Sequence, residues 1–180
     1  MSETPGRVVV TPARPADVDR VAPLFDAYRQ FYGAAPDLGA ARAFLSERLA
    51  RGESVVLIAA VEPPHGEGEI VAAGFTQLYP SFSSLALAPT VVLNDLFVAP
   101  ERRGMGVARR LIEAVVAHAR STGAVRIELA TQHTNSRALR LYERLGFVRD
   151  TEFVHLSVAV TSRTDVAGSR EAPTKTTDDR

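Results

Sequence analysis

The 180-residue chain contains no cysteine. That excludes disulfides, thiolate metal sites and any mechanism that carries an acyl group on a protein thiol. Net charge is also missing, with 21 basic and 21 acidic residues. No basic stripe is visible, so the electrostatic attraction behind non-specific nucleic-acid binding is absent. No run approaches the roughly 20 apolar residues of a membrane span, and the opening Met1–Arg7 has no apolar signal core, so a cytoplasmic protein with no membrane partner is expected. Lysine occurs once, at Lys175. No internal repeat is present, and the four histidines show no ligand spacing, so no metal site is expected: His65 falls in a turn-rich loop, His118 on a helix, His133 in a loop and His155 in a late strand.

With 46% hydrophobic residues, the chain has enough apolar material for one domain. Residues 1–6 and 161–180 are polar and read as flexible ends around a domain spanning 7–160. Val8–Thr11 suits a first strand. A helical pattern from Pro15 places Val18, Val21, Leu24, Phe25, Tyr28 and Phe31 on one face, with a kink or a later start expected at Pro23. Asp37 is placed to cap a second helix that ends before Gly52. Val55–Val61 and Ile70–Tyr79 read as strands two and three around a Pro- and Gly-containing hairpin loop, Glu62–Glu69. Pro80–Pro89 reads as a connection, Thr90–Val98 as strand four and Val107–Arg120 as an amphipathic helix. Ala124–Ala130 follows as strand five with Val125 inward, then Ser136–Leu145 as a short helix closed by Gly146, and Phe147–Val160 as one or two final strands.

Between strand four and its helix lies Arg103-Gly104-Met105-Gly106-Val107-Ala108. A strand that turns through two glycines into a helix aims several backbone N–H groups at one point, a ready phosphate site. The same spacing also occurs where a backbone merely turns tightly. No Walker-type loop is present, because Lys followed by Ser or Thr is missing, and the third glycine and acidic residue of a dinucleotide fingerprint are missing too. Further on, Asn135, Ala138 and Tyr142 share one side of a helix. Alone, they read more readily as a helix cap and a half-buried tyrosine than as a site.

Taken together, Leu93-Asn94-Asp95-Leu96-Phe97-Val98, the R-G-x-G-x-A run and Asn135 to Tyr142 ending in Leu145-Gly146-Phe147 resemble the acetyl-CoA signature of the GNAT acetyltransferase superfamily. The resemblance implies an α/β fold with a mixed, mostly antiparallel central sheet flanked by helices, whose strands four and five splay apart for coenzyme A. It implies an N-acetyltransferase that uses acetyl-CoA as co-substrate to acylate a primary amine of a small molecule by direct attack. A protein lysine or N-terminal acceptor and a non-catalytic acyl-CoA-binding module are the alternatives.

The same resemblance implies the site residues. Arg103, Gly104, Met105, Gly106, Val107 and Ala108 would hold the pyrophosphate; Leu96, Phe97 and Val98 would line the pantetheine arm, with Asn135 binding nearby. Tyr142 would contact the cofactor and protonate the departing thiolate. In the diamine acetyltransferases that this strand looks like, a glutamate stands where this chain has Asn94. An amide cannot take up a proton usefully, so the base would be Asp95, which strand alternation puts on the opposite face, an ordered water or a residue elsewhere. The expected acceptor rim spans Tyr28–Gly33 and Leu78–Ser84, with Asn94, Tyr32 and Arg29 as substrate contacts, Arg29 suiting an anionic group. Dimers are common among the proteins it resembles, and an edge strand near the C-terminus would offer a pairing surface.

Overall fold

The computed structural model describes residues 6–62 and 71–160. Residues 1–5 and 161–180, expected as flexible ends, and most of the expected hairpin loop with His65 lie outside the described residues. The elements run β1 (Arg7–Pro12), α1 (Val18–Phe31), α2 (Leu38–Ala50), β2 (Val55–Glu62), β3 (Val71–Ser83), β4 (Ala88–Val98), α3 (Val107–Ser121), β5 (Ile127–Leu129) and α4 (Ser136–Arg144). The chain divides into two compact units at Leu141 and Tyr142, within α4.

In the first unit the five strands form one sheet in the order β1-β2-β3-β4-β5. All pairs are antiparallel except β4 with β5, which is parallel. β2 lies inside the sheet, and its near-continuous apolar run reflects burial on both faces. Leu57, Ala59 and Val61 pack in the layer that holds α3, with Leu111 and Val115. Val56 and Ile58 pack in the layer that holds α1 and α2, with Val21, Phe25 and Leu45. The apolar stripe of α3 is the expected one, with Val107, Leu111, Ile112, Val115 and Ala119 buried. No helix among the described residues is long and apolar enough to cross a membrane.

Four expectations change. A 3-10 turn at Pro15–Asp17 precedes α1, which then runs through Pro23 without restarting. Pro23 stands near the helix start, where the only lost bond is the one to the Asp19 carbonyl. β3 and β4 also pair beyond the expected connection, with Pro80 opposite Val91 and Ser83 opposite Ala88. The Val91 N–H bonds to the Arg126 carbonyl on the β5 side. Pro80 therefore turns its ring nitrogen toward the β2 side, where pairing has already ended at Val55 and Leu78, so no ladder bond is lost. β5 is only three residues long, and Val125 is exposed rather than inward.

The fourth change lies in the second unit. Residues 147–160 form no regular strand, and Phe153, Val154, Leu156, Val158 and Val160 are exposed. Alternating apolar residues make a strand only where an edge receives them, and alternation alone does not supply one. Asp150 instead turns the chain locally, its Oδ1 accepting from the Glu152 and Phe153 N–H groups at 2.9 and 3.0 Å.

Candidate active site

The centre of the site is the point where β4 leaves β5. Their pairing ends at Leu93 and Leu129, whereas β4 continues to Val98 on β3. At the departure β4 bulges: Leu78 pairs with Leu93 and Gln77 with Asp95, which leaves Asn94 as the extra residue. The bulge shifts the strand by one step. Before it, Val91 and Leu93 face α3; after it, Leu96 and Val98 do, while Phe97 joins the α1 and α2 layer. The Ala99 N–H bonds to the Ala73 carbonyl on β3. By strand alternation, the N–H and C=O groups of Leu96 and Val98 therefore point away from β3, along the stretch that β5 does not cover. Phe97, expected among the coenzyme contacts, does not share that edge: its backbone turns to β3 and its ring meets Tyr28 at 6.3 Å.

A 3-10 turn over Pro100–Arg102 then leads into the glycines. Gly104 and Gly106 have φ values of +87° and +80°, where side chains are strained, and a Cβ at either position would meet nothing within 4 Å. The cradle is thus open in front of its backbone. Gly106 is the N-cap of α3 and offers no side chain to its amides. The first helical bond runs from the Arg110 N–H to the Gly106 carbonyl, so the N–H groups of Val107, Ala108 and Arg109 have no intrahelical acceptor. This positive helix end has no acidic residue in its first turn. Arg109 and Arg110 stand there instead, an arrangement that favours an anion. An open groove of about 430 Å³ lined by Val8, Met105, Gly106, Arg109, Arg110 and Glu113 adjoins the turn. Met105 and Ala108 are partly buried against the core and Val107 fully so, so their contribution at this turn is backbone. The Arg103 side chain folds back, donating from Nε to the Val98 carbonyl at 3.1 Å.

On the α1 side of β4, Asp95 is 5% exposed. Burial pushes its carboxyl above the ordinary carboxylate value, although hydrogen bonds from the Tyr28 hydroxyl and the Asn94 side chain pull the other way. Strand alternation alone would separate Asn94 from Asp95, and the bulge is what joins them. Tyr79 on β3 is close enough that burial and the Asp95 charge raise its phenol pKa, against an opposing effect from Arg48 on α2. Gln77, opposite Asp95, is fully buried with neither side-chain polar atom partnered among the described residues.

The expected acceptor rim is partly taken up. Arg29 pairs with Asp26 at 2.7 Å, so its guanidinium is held by the protein rather than offered to an anionic group. Tyr32 is half exposed, its ring 5.1 Å from that of Tyr28. Asn94 is exposed at the bulge. Asn135 acts as a cap, its Oδ1 accepting from the Ala138 N–H at 3.2 Å. In the second unit Tyr142 is buried, and its ring packs on Phe147 at 5.6 Å. His133 and His155 are exposed and His118 half buried. Among the described residues no three His, Asp or Glu side chains gather to hold a metal ion.

Sequence reasoning missed Gln77, and it placed Tyr28 and Tyr79 in the acceptor rim without tying either to Asp95. The β3–β4 register brings Gln77 and Tyr79 to Asp95 from about 18 and 16 residues away along the chain, and the packing of α1 on the sheet brings Tyr28. A polar glutamine inside the apolar run of β3 was the one local signal.

The model of the Acetyltransferase (GNAT) family matches residues 21–147. The uncharacterized N-acetyltransferase YhfO of Bacillus subtilis (strain 168) is 44% identical over 151 residues, covering 84% of this chain and 97% of its own. A crystal structure of a probable acetyltransferase superposes with a TM-score of 0.78 at 39% identity, over 86% of this chain and 99% of the other. The thialysine N-epsilon-acetyltransferase of Bos taurus matches over a shorter stretch, 34% identical across 73 residues, 41% of this chain and 42% of its own.

Proposed function

The chain belongs to the Acetyltransferase (GNAT) family, and from that premise we propose that it transfers the acetyl group of acetyl-CoA to a primary amine of a small molecule by direct attack. One observation carries this reading: the edge of β4 at Leu96 and Val98, which β5 leaves and where Arg103 holds only the Val98 carbonyl, leads through a 3-10 turn and two glycines to a helix end whose amides no side chain caps. A diphosphate on the amides from Gly104 to Arg109 would leave its attached arm to pair with Leu96 and Val98 as an added strand. The coenzyme supplies an activated thioester, and the protein supplies position, a base, an oxyanion donor and an acid.

Each role falls to a group of suitable chemistry. The Leu96 or Val98 N–H faces the uncovered edge and serves a developing oxyanion. Asp95, whose carboxyl is raised by burial, is a base poised closer to neutrality than an exposed aspartate. Asn94 accepts a hydrogen bond from the amine without taking its proton. Tyr142 has, by its place in the motif, the role of protonating the thiolate. With no cysteine in the chain, direct attack needs no acyl-enzyme. The name of the thialysine relative supports a small-molecule amine as acceptor.

The test is to mix the protein with acetyl-CoA and a panel of amino acids, diamines and amino sugars and to follow free thiol. Thiol release that requires an amine and drops at least tenfold in Tyr142→Phe supports the proposal, that fold being the low end of a lost proton donor. Tight coenzyme binding without turnover on any amine overturns it.

A further inference from the structure

On the reading above, in which Asp95 takes the proton of the amine, we propose that Gln77 is its positioning partner, accepting the O–H of Asp95 once the carboxyl is protonated. Gln77 is central in β3, flanked by Val56 on β2 and Asp95 on β4. Val56 belongs to the layer of α1 and α2, and so does Phe97, two residues beyond Asp95. Gln77 and Asp95 are therefore direct cross-strand neighbours on one face, with Cβ atoms roughly 5 Å apart.

The groups around Asp95 are Tyr28 from α1, Asn94 from the bulge, Tyr79 and Gln77 from β3, and Arg48 from α2, whose charge is felt at Tyr79. Tyr28 and Asn94 donate to the carboxylate, which suits the ionised form. When an N–H bond of the amine breaks, its electron pair stays on nitrogen and an O–H bond forms on Asp95. The new O–H is a donor and needs an acceptor. Gln77 Oε1 is a fully buried acceptor in register with Asp95 and has no partner among the described residues. Loss of the proton to solvent then restores the carboxylate. A buried amide left unpartnered costs stability in the resting protein, and an alternating neighbour gives it a use.

Gln77→Met keeps the length and volume of the side chain and removes both polar atoms. In the full chain the variant should melt higher than the parent, because a costly buried amide is gone. The titration midpoint of the Asp95 carboxyl, read by carbon NMR, should fall by about one pH unit, the worth of one hydrogen bond to the protonated form. The acetylation kcat should fall about tenfold with the amine KM within about twofold, one pK unit being a factor of ten in equilibrium. A lower melting temperature would make the amide structural and overturn the inference, as would an Asp95 midpoint that stays or rises. Asp95→Asn separates the two readings. Full turnover in that variant removes Asp95 as base; lost turnover there, together with an unmoved Asp95 midpoint in Gln77→Met, removes only the role of Gln77.

Discussion

Arg103 donates from Nε to the Val98 carbonyl at 3.1 Å, so the last residue of β4 and the first of the glycine turn are joined side chain to backbone. The guanidinium also lies over the Phe97 ring, 5.9 Å from its centre. These contacts hold the cation at the end of β4, one residue before the glycines.

Arg103→Ala should raise the KM for acetyl-CoA about tenfold or more, the scale of one hydrogen bond from a charged group, with kcat nearly unchanged. Steady-state kinetics with acetyl-CoA as the varied substrate check this. An unchanged KM would mean that Arg103 only braces the turn.

Gly104 and Gly74 separate backbone conformation from space. A Cβ on Gly104 meets nothing but demands φ of +87°, whereas one on Gly74 would lie 2.5 Å from the Phe97 carbonyl oxygen. Gly74→Ala should cost about 1–3 kcal/mol of stability through overpacking. Gly104→Val should cost about 1–2 kcal/mol from the left-handed backbone. It should also erase the thermal shift that acetyl-CoA gives the parent, a loss that Gly74→Ala does not share if it folds. Paired melts with and without coenzyme read both effects.

Asp26 anchors the link between α1 and α2. Its carboxylate accepts from the Asp37 N–H at 3.0 Å, from Gln30 at 2.9 Å and from Arg29 at 2.7 Å. The Asp37 N–H is the main reason its pKa lies below 3.8. A carboxyl depressed in the fold contributes stability above its unfolded pKa, and that contribution is lost as pH falls through the folded value. Asp26→Ala should therefore melt lower than the parent at neutral pH, and the gap should narrow only below about pH 4, near the reference carboxylate value. Melts across pH 2–7 test this, and a gap independent of pH would point to packing alone.

Much of this architecture is legible along the chain because its signals are local. Asp37 caps α2 by accepting from the Ala40 N–H, Gly52 follows that helix at φ +64°, and the stripe of α3 repeats at helical spacing. The glycine turn announces itself for the same reason. What stays hidden depends on partners distant in sequence. Pro80 reads as a strand breaker until β2 is seen to stop at Val55, and the bulge at Asn94 exists only relative to Gln77 and Leu78. Arg29 could be read as a free cation because Asp26, one turn earlier, gives no sign in sequence of being buried. Val154, Leu156 and Val158 alternate like a strand, yet alternation cannot supply the edge a strand needs.

Asp95 should make stability and activity move in opposite directions with pH. Burial raises its folded pKa above 3.8 more than Tyr28 and Asn94 lower it. The folded protein therefore binds this proton more tightly than the unfolded chain. The resulting stability is fully present below the unfolded pKa and is lost as pH rises through the folded one. Asp95→Asn should match the parent melting temperature below about pH 4 and exceed it increasingly toward neutrality. Turnover should run the other way, since a base works only when ionised: kcat/KM of the parent should climb through the same raised value, and Asp95→Asn should lose about a hundredfold. The decisive measurement is the pair of midpoints, one from melting-temperature differences and one from the acidic limb of kcat/KM. Midpoints that coincide assign both to one carboxyl; midpoints more than about one pH unit apart, beyond the usual spread of such values, would take the base away from Asp95.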